Sequence, residues 1–144
     1  MSCRLLLFTK NITNMDLSNF NEVLSEIRKA NYNMGVTLDN LHTSVSEYRE
    51  KHGSDCNADY MDEVVEKTAL EMLLLIRRDK EHKAYDKSTE LWNKYLSIPE
   101  ENRDDKADAS EAYYNADDEA SDFSDEAEEV RQYIINRDFY NFVD

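Results

Sequence analysis

Residues 100–135 read EENRDDKADASEAYYNADDEASDFSDEAEEVRQYII, and the interpretation of the whole chain depends on this stretch. Its density of Asp and Glu is typical of a disordered tail. The apolar residues, however, follow steps of 3, 1, 3, 4, 3, 4, 3 and 4 positions, which place them along one side of a helix. These residues are Ala109, Ala112, Tyr113, Ala116, Ala120, Phe123, Ala127, Val130 and Ile134. The pattern predicts an ordered helix over 100–137 whose inward face is a narrow seam of mostly alanine.

Turn-forming residues are scarce throughout the chain, which has two glycines and one proline in 144 residues. Sandwiches, barrels and dinucleotide-binding folds need many more glycine and proline turns, or glycine-rich phosphate loops. A chain rich in Glu, Lys, Ala and Leu favours helix instead. We therefore predict an all-α fold of four to five helices, a helical bundle with a long central helix and an acidic C-terminal helix. The length fits a single helical domain over 1–144.

Apolar residues at helical spacing also predict two helices near the start of the chain. We expect Asp16 or Ser18 to cap the first helix, and the polar stretch from Asn31 to Gly35 to end it. The second helix is expected to start at a Thr37 cap and to end at Gly53. Residues 1–14 precede these helices, and their apolar run at 5–8 is expected to pack on the helices or to begin one. The alternative is that residues 1–14 form a loosely held arm.

A third apolar stripe begins near residues 54–59 and runs toward Pro99 without a breaker. It is interrupted only by the polar sequence RRDKEHK over 77–83. One continuous helix and a helix with a bend in this segment are both compatible with the pattern. Pro99 is expected in the first turn of the last helix, with Ser97 as its cap.

The net charge of −15 is distributed unevenly along the chain. Residues 1–52 carry equal numbers of acidic and basic groups, whereas residues 100–129 carry 14 acidic and 2 basic groups. A helix of that length is about 45 Å long, so it carries one net charge per roughly 3.7 Å of axis. This spacing is close to the ~3.4 Å per phosphate along one DNA strand.

An inward alanine seam leaves the outer faces of the same helix to its acidic residues. Since like charges at helical spacing are destabilising, such an arrangement favours a role in binding a partner. Tyr114 lies beside the seam and is a candidate anchor for that partner. The predicted partner-binding residues are Asp104, Asp105, Asp108, Glu111, Tyr114, Asp117, Asp118, Glu119, Asp122, Asp125, Glu126, Glu128 and Glu129.

Motifs for catalysis, cofactors or metals are absent from the sequence. There is no nucleophile elbow, Walker loop or zinc spacing, and we predict neither an enzyme nor a bound cofactor. Asp79 and His82 match only half of a di-iron motif. A calcium loop beginning at Asn115 would have Ala120 where glycine is needed, so no metal site is predicted. The two cysteines, Cys3 and Cys56, are expected to be free thiols.

One basic cluster stands out, and it consists of Arg77, Arg78, Lys80, Lys83 and Lys87. It could contact nucleic acid, pair with the acidic helix, or lie on a solvated face. Because the chain as a whole repels phosphate, direct nucleic-acid binding is not predicted. The longest apolar runs, residues 5–8 and 72–76, have four and five residues, which is too short for a bilayer span of ~20 residues or a signal peptide. We therefore expect a cytoplasmic protein with no membrane partner.

In size, helicity, acidity and Tyr/Asn content, the chain resembles the small DNA-mimic proteins of bacteriophages and mobile elements. The resemblance covers general character and no shared motif, so no residue roles are transferred. It implies a non-enzymatic, anti-restriction or anti-CRISPR inhibitor that occupies the cationic DNA- or RNA-binding groove of a bacterial host protein. The alternative is a helical scaffold or adaptor, able to form a homodimer, whose acidity maintains solubility or binds a basic protein.

Overall fold

The computed structural model of the chain describes residues 15–139. This part is all-α: helices account for 87% of its residues, and it contains no strand. Residues 1–14, for which the sequence left two alternatives open, lie outside the described residues. The four helices are α1 (Phe20–Ala30), α2 (Tyr32–His52), α3 (Cys56–Ser97) and α4 (Arg103–Arg137). The number of helices in the whole chain, and their assembly into one bundle, stay predictions.

The start of α1 differs from the sequence prediction by one to three residues. Asn19 is the N-cap, and its side-chain oxygen accepts hydrogen bonds from the N–H groups of Asn21 (3.0 Å) and Glu22 (3.2 Å). Asp16 instead accepts hydrogen bonds from the Ser18 hydroxyl and N–H, which lower the pKa of its carboxyl. Asp16 and Ser18 therefore form a short turn that precedes the cap and were wrongly predicted as caps.

The junction between α1 and α2 is shorter than the sequence indicates. Asn31 ends α1 and also caps α2, because its side chain accepts the N–H of Met34 at 3.1 Å. Gly35, predicted to break the chain, is a buried residue of α2. A Cβ there would lie 2.9 Å from both Cα and Cβ of Arg28, so glycine serves the close approach of α1 and α2. The predicted start at Thr37 is therefore wrong.

Gly53 ends α2 as predicted, with a φ of 82° that only glycine adopts without strain. Asp55 then accepts the N–H of Ala58 at 2.8 Å in the first turn of α3, and this hydrogen bond lowers the pKa of Asp55. Helix α3 has 42 residues and is helical at every position. The continuous helix is thus the alternative found in the structure.

The described residues divide into two compact units. We call residues 15–76 and 129–139 the aliphatic unit, since its interior is almost entirely branched aliphatic. Leu17, Val23, Leu24 and Ile27 of the first predicted stripe are buried there, as expected. The rest of this core comprises Leu38, Val45, Val65, Ala69, Leu70, Leu73, Ile76 and Val130. The single-domain assignment stays a prediction.

The second unit, Arg77–Glu128, is called the hairpin unit because two antiparallel helical segments form it. Positions later in α3 contact positions earlier in α4, as an antiparallel pair requires. The contacting pairs are Arg77 with Glu126, Glu81 with Ser124, Ser88 with Asp117, Trp92 with Tyr113, and Tyr95 with Lys106. Helix α4 starts at Arg103, so Pro99 lies in the connecting turn and its predicted place inside the helix is wrong.

Lys106 holds this turn together. Its amine donates to the backbone oxygens of Tyr95 (3.1 Å) and Ile98 (2.9 Å), and it lies 4.3 Å from the centroid of the Tyr95 ring. Helix ends leave such carbonyl groups without partners, and a lysine near a C-terminus satisfies them. Ser97, the predicted cap of the last helix, is instead the last residue of α3, and its hydroxyl donates to the oxygen of Lys94.

Candidate functional site

The predicted alanine seam is the inner face of α4 in the hairpin unit. Ala109, Ala116, Ala120 and Ala127 are 8%, 7%, 0% and 0% exposed, respectively. Ala112 is exposed, so the seam is narrower than the sequence pattern indicated. Because an alanine face lets two helices approach closely, Ser88 of α3 is also buried, with its hydroxyl 3.3 Å from a carboxylate oxygen of Asp117.

Six carboxylates lie on the side of α4 opposite the seam and form what we call the acidic row. Five are exposed and one, Asp122, is half-buried. With Asn115 included, successive members are separated by steps of four or three residues, so they follow one line along the helix. The line is about 31 Å long. Its members are Asp104, Asp108, Glu111, Asp118, Asp122 and Asp125.

The acidic row carries little compensating charge. Within the described part of the chain, none of its six carboxylates forms an ion pair with Lys, Arg or His. Neighbours such as Asp104 and Asp108, or Asp118 and Asp122, are four residues apart, and such like-charge pairs cost a few tenths of a kcal/mol each. The row is thus a line of solvated negative charge held by a buried seam.

The remaining predicted site residues do not all share this environment. Asp105 and Glu119 are exposed beside the row. Asp117 is half-buried and hydrogen-bonded to Ser88, which makes it part of the contact between α3 and α4. Glu126 and Glu128 are half-buried next to arginines of α3, and Glu129 belongs to the aliphatic unit. The candidate surface therefore ends near Asp125.

Two residues of the predicted basic cluster contact α4, so for them the interpretation that the cluster pairs with the acidic helix is correct. Arg77 is only 1% exposed, and its Nη1 donates to the backbone oxygen of Glu126 at 2.9 Å. Arg78 contacts Glu81 at 2.8 Å and Glu128 at 3.4 Å. Lys83 pairs with Asp79 on its own helix. The cluster is therefore divided between the helix contact and the surface.

Glu81 is a carboxylate of the hairpin unit whose ionisation is tied to the fold. The hydrogen bond from Arg78 is the main cause that holds the pKa of Glu81 below its ordinary value. A hydrogen bond with Ser124 of α4 acts in the same direction, against the opposing effect of burial. Charged Glu81 thus helps to join α3 to α4.

An aromatic cluster between α3 and α4 was missed from the sequence. The Trp92 ring lies 5.2 Å from Tyr95 and 5.0 Å from Tyr113, and Tyr113 lies 5.1 Å from Tyr114. Trp92 and Tyr114 are 40% and 59% exposed. Tyr113 was predicted on the seam, and Trp92 and Tyr95 fall within the third apolar stripe, which was predicted to run toward Pro99. Pairing the two helices antiparallel would have brought the three together.

Residues 15–139 hold no group of three or more His, Cys, Asp or Glu residues placed to bind a metal. None of the helices in this stretch combines the length and apolar character needed to cross a bilayer. Comparison of the chain with protein-family models, curated proteins and solved structures finds no match.

Proposed function

We propose that the protein is a non-enzymatic inhibitor whose acidic row mimics nucleic-acid phosphates. Its carboxylates would occupy the cationic DNA- or RNA-binding groove of a host protein and neutralise the Lys and Arg side chains there. Long-range attraction speeds association, and occupation of the groove excludes nucleic acid. A bacteriophage or mobile-element protein directed against restriction or CRISPR defence, in the bacterial cytoplasm, would act in this way.

The acidic row is the observation that carries the proposal. Solubility alone requires net charge and mixed signs on a surface, and it does not require a line of carboxylates. A helix with a buried seam presents that line with little conformational freedom. Less ordering entropy is therefore lost on binding than with a disordered acidic tail.

The proposal is tested by capture of proteins from a nuclease-treated bacterial lysate, at about 0.1 M and 0.5 M salt. The key variant carries Asp118→Asn, Asp122→Asn and Asp125→Asn, which remove exposed or half-buried charges that have no ion pair to lose. A matched control carries Glu47→Gln, Glu50→Gln and Glu71→Gln, exposed positions of the aliphatic unit. Both variants change the net charge equally.

We expect the native chain to capture a nucleic-acid enzyme or defence complex that high salt and added DNA or RNA both displace. Loss of three exposed ionic contacts at roughly 0.5–1 kcal/mol each should weaken this capture about ten- to hundredfold in the row variant. The control should bind like the native chain. Equal binding by both variants would contradict mimicry.

A scaffold or adaptor is the second candidate, and it is favoured by apolar residues exposed on the aliphatic unit. Leu75 is 64% exposed, Ile135 53% and Val64 42%. Val64 and Leu75 are eleven residues apart on α3, which places them on the same side of the helix. Self-association that resists 0.5 M salt and persists in the row variant would support this alternative over mimicry.

A further inference from the structure

The hairpin unit has an exposed aromatic face that adjoins the acidic row at Tyr114. One side of α3 presents Tyr85, Trp92 and Leu96, because Trp92 and Leu96 follow Tyr85 by seven and eleven residues. They are 41%, 40% and 58% exposed. Rings in contact continue the surface from Trp92 through Tyr113 to Tyr114 on α4. We call Tyr85, Trp92, Leu96 and Tyr114 the aromatic face.

The charges around Tyr114 favour a cationic ligand. On α4, Glu111 lies three residues before Tyr114, and Asp117 and Asp118 lie three and four residues after it, so all three are its helical neighbours. No basic residue occurs from position 110 to position 118. A positive group over the Tyr114 ring would therefore meet both the ring face and carboxylates.

The same cluster already holds one cation within the chain. The amine of Lys106 lies 4.3 Å from the centroid of the Tyr95 ring, at the other end of the contact series from Tyr114. Lys106 is committed there to two backbone oxygens. Tyr114 and Trp92 offer comparable but more exposed rings, and in the described part of the chain no Lys or Arg is stacked on either.

We infer that the aromatic face binds arginine side chains of the partner protein. Arginine fits better than lysine because its flat, weakly hydrated guanidinium stacks on rings and bonds carboxylates with two N–H groups. The inference rests on the proposed function for the kind of partner, a protein with a basic groove. It adds a contact that depends on side-chain shape as well as on charge.

Trp92 is the only tryptophan in the chain, so its emission reports directly on this face. The probes are a twelve-residue peptide of alternating arginine and glycine and the matching lysine–glycine peptide. Calorimetry measures affinity, and Trp92 emission measures where binding occurs. Tyr114→Ala removes an exposed ring, and Tyr32→Ala, 66% exposed in the aliphatic unit, is the matched control.

We expect the arginine peptide to change Trp92 emission and to bind about two- to fivefold more tightly than the lysine peptide. Tyr114→Ala should remove that preference, and Tyr32→Ala should keep it. Unchanged Trp92 emission, equal affinity for the two peptides, no binding of either, or equal effects of the two variants would each overturn the inference. So would a Trp92 response to a single-stranded oligonucleotide stronger than to the peptide.

A second row variant, with Asp108→Asn, Asp122→Asn and Asp125→Asn, separates this inference from mimicry, because it leaves the carboxylates beside Tyr114 in place. Where the aromatic inference alone fails, this variant loses capture of the nucleic-acid protein, and Tyr114→Ala does not. Where mimicry alone fails, this variant captures that protein like the native chain, and Tyr114→Ala weakens both capture and arginine-peptide binding.

Discussion

The aliphatic unit and the hairpin unit both contain parts of α3 and α4 but have opposite interiors. In the aliphatic unit, large side chains such as Ile27, Leu38 and Leu73 are fully buried. In the hairpin unit, the residues below one-tenth exposure are four alanines, Ser88 and Arg77. The first interior is stabilised mainly by the removal of apolar surface from water. The second depends more on close helix contact and on polar side chains at defined positions.

This difference shows how a short helical pair can devote its surface to charge. A seam of alanine needs only one narrow side of α4, so most of the circumference remains for carboxylates and tyrosines. Arg77, Ser88 and Lys106 then supply contacts that alanine cannot make. Because the stabilisation of the hairpin unit is spread over such contacts, the two units should respond differently to substitution.

The largest expected effect is in the aliphatic unit. Leu73→Ala removes a fully buried side chain and leaves a cavity, so the free energy of unfolding should fall by about 3 kcal/mol. Urea unfolding followed by far-ultraviolet circular dichroism measures this. Leu75→Ala, at an exposed position two residues away, is the control and should change stability by less than about 1 kcal/mol. Equal losses would contradict the assigned core.

The same variant tests whether 1–144 is a single domain, since Trp92 reports on the hairpin unit. One cooperative domain requires the Trp92 emission transition to shift together with the circular dichroism transition. An unchanged Trp92 transition in Leu73→Ala would show that the hairpin unit unfolds on its own.

A smaller effect is expected from enlarging the seam. Ala120→Leu adds volume where the side chain has no exposed surface, so the free energy of unfolding should fall by roughly 1–3 kcal/mol. Ala112→Leu places the same side chain at an exposed position of α4 and should be nearly neutral. Thermal unfolding monitored by Trp92 emission compares the two. A neutral Ala120→Leu would contradict the close contact of α3 and α4.

The next effect is on the pH dependence of stability. The pKa of Glu81 lies below its ordinary value, so its charged form stabilises the fold at neutral pH, and this contribution is lost as pH falls through the lowered pKa. Glu81→Gln should cost about 1 kcal/mol at pH 7 and progressively less in acid. The exposed Glu90→Gln is the control. A cost for Glu81→Gln that does not vary between pH 7 and acid would contradict the coupling.

The smallest expected effect is a gain in stability. Replacement of Asp118, Asp122 and Asp125 by Asn removes like-charge neighbours, each worth a few tenths of a kcal/mol. The melting temperature should rise slightly at low salt, and the gain should vanish near 1 M salt because charges are then screened. Circular dichroism melts at several salt concentrations measure it. A loss of stability would show that these carboxylates make contacts that hold the fold together.

Much of the fold follows from apolar periodicity, and the errors have physical causes. The sequence correctly predicted the buried stripe through Val23 and Ile27, and also the alanine seam. Both were recognisable because the buried residues of a helix recur about every 3.6 positions. Gly35 was interpreted as a breaker, although its missing Cβ serves contact with Arg28. Leu75 and Val64 lie in the apolar part of α3 but are exposed, since one helix side suffices for the core.

For the candidate site, the sequence predicted which residues face outward but not which contacts they make with the opposite helix. The outward placement of Asp104 and Asp118 followed from the seam alone. The roles of Asp117 and Arg77 did not, because they depend on which residues of the opposite helix they meet. The burial of Arg77 could have been predicted from its position. Arg77 is four residues after the buried Leu73 and eleven before the buried Ser88, which places it on the inner side of α3.

The alanine seam has a further consequence for the alignment of the two helices. Ala109 and Ala116 are seven residues apart, and so are Ala120 and Ala127. A shift of α4 by seven residues, about 10 Å, would therefore again set alanine against α3. Alanine by itself is therefore a poor determinant of register. The register is set by residues that fit one alignment only, such as Lys106 at the turn, Tyr113 beside Trp92, Asp117 opposite Ser88 and Arg77 beside Glu126. These polar and aromatic contacts therefore also determine which carboxylates of α4 lie level with the tryptophan.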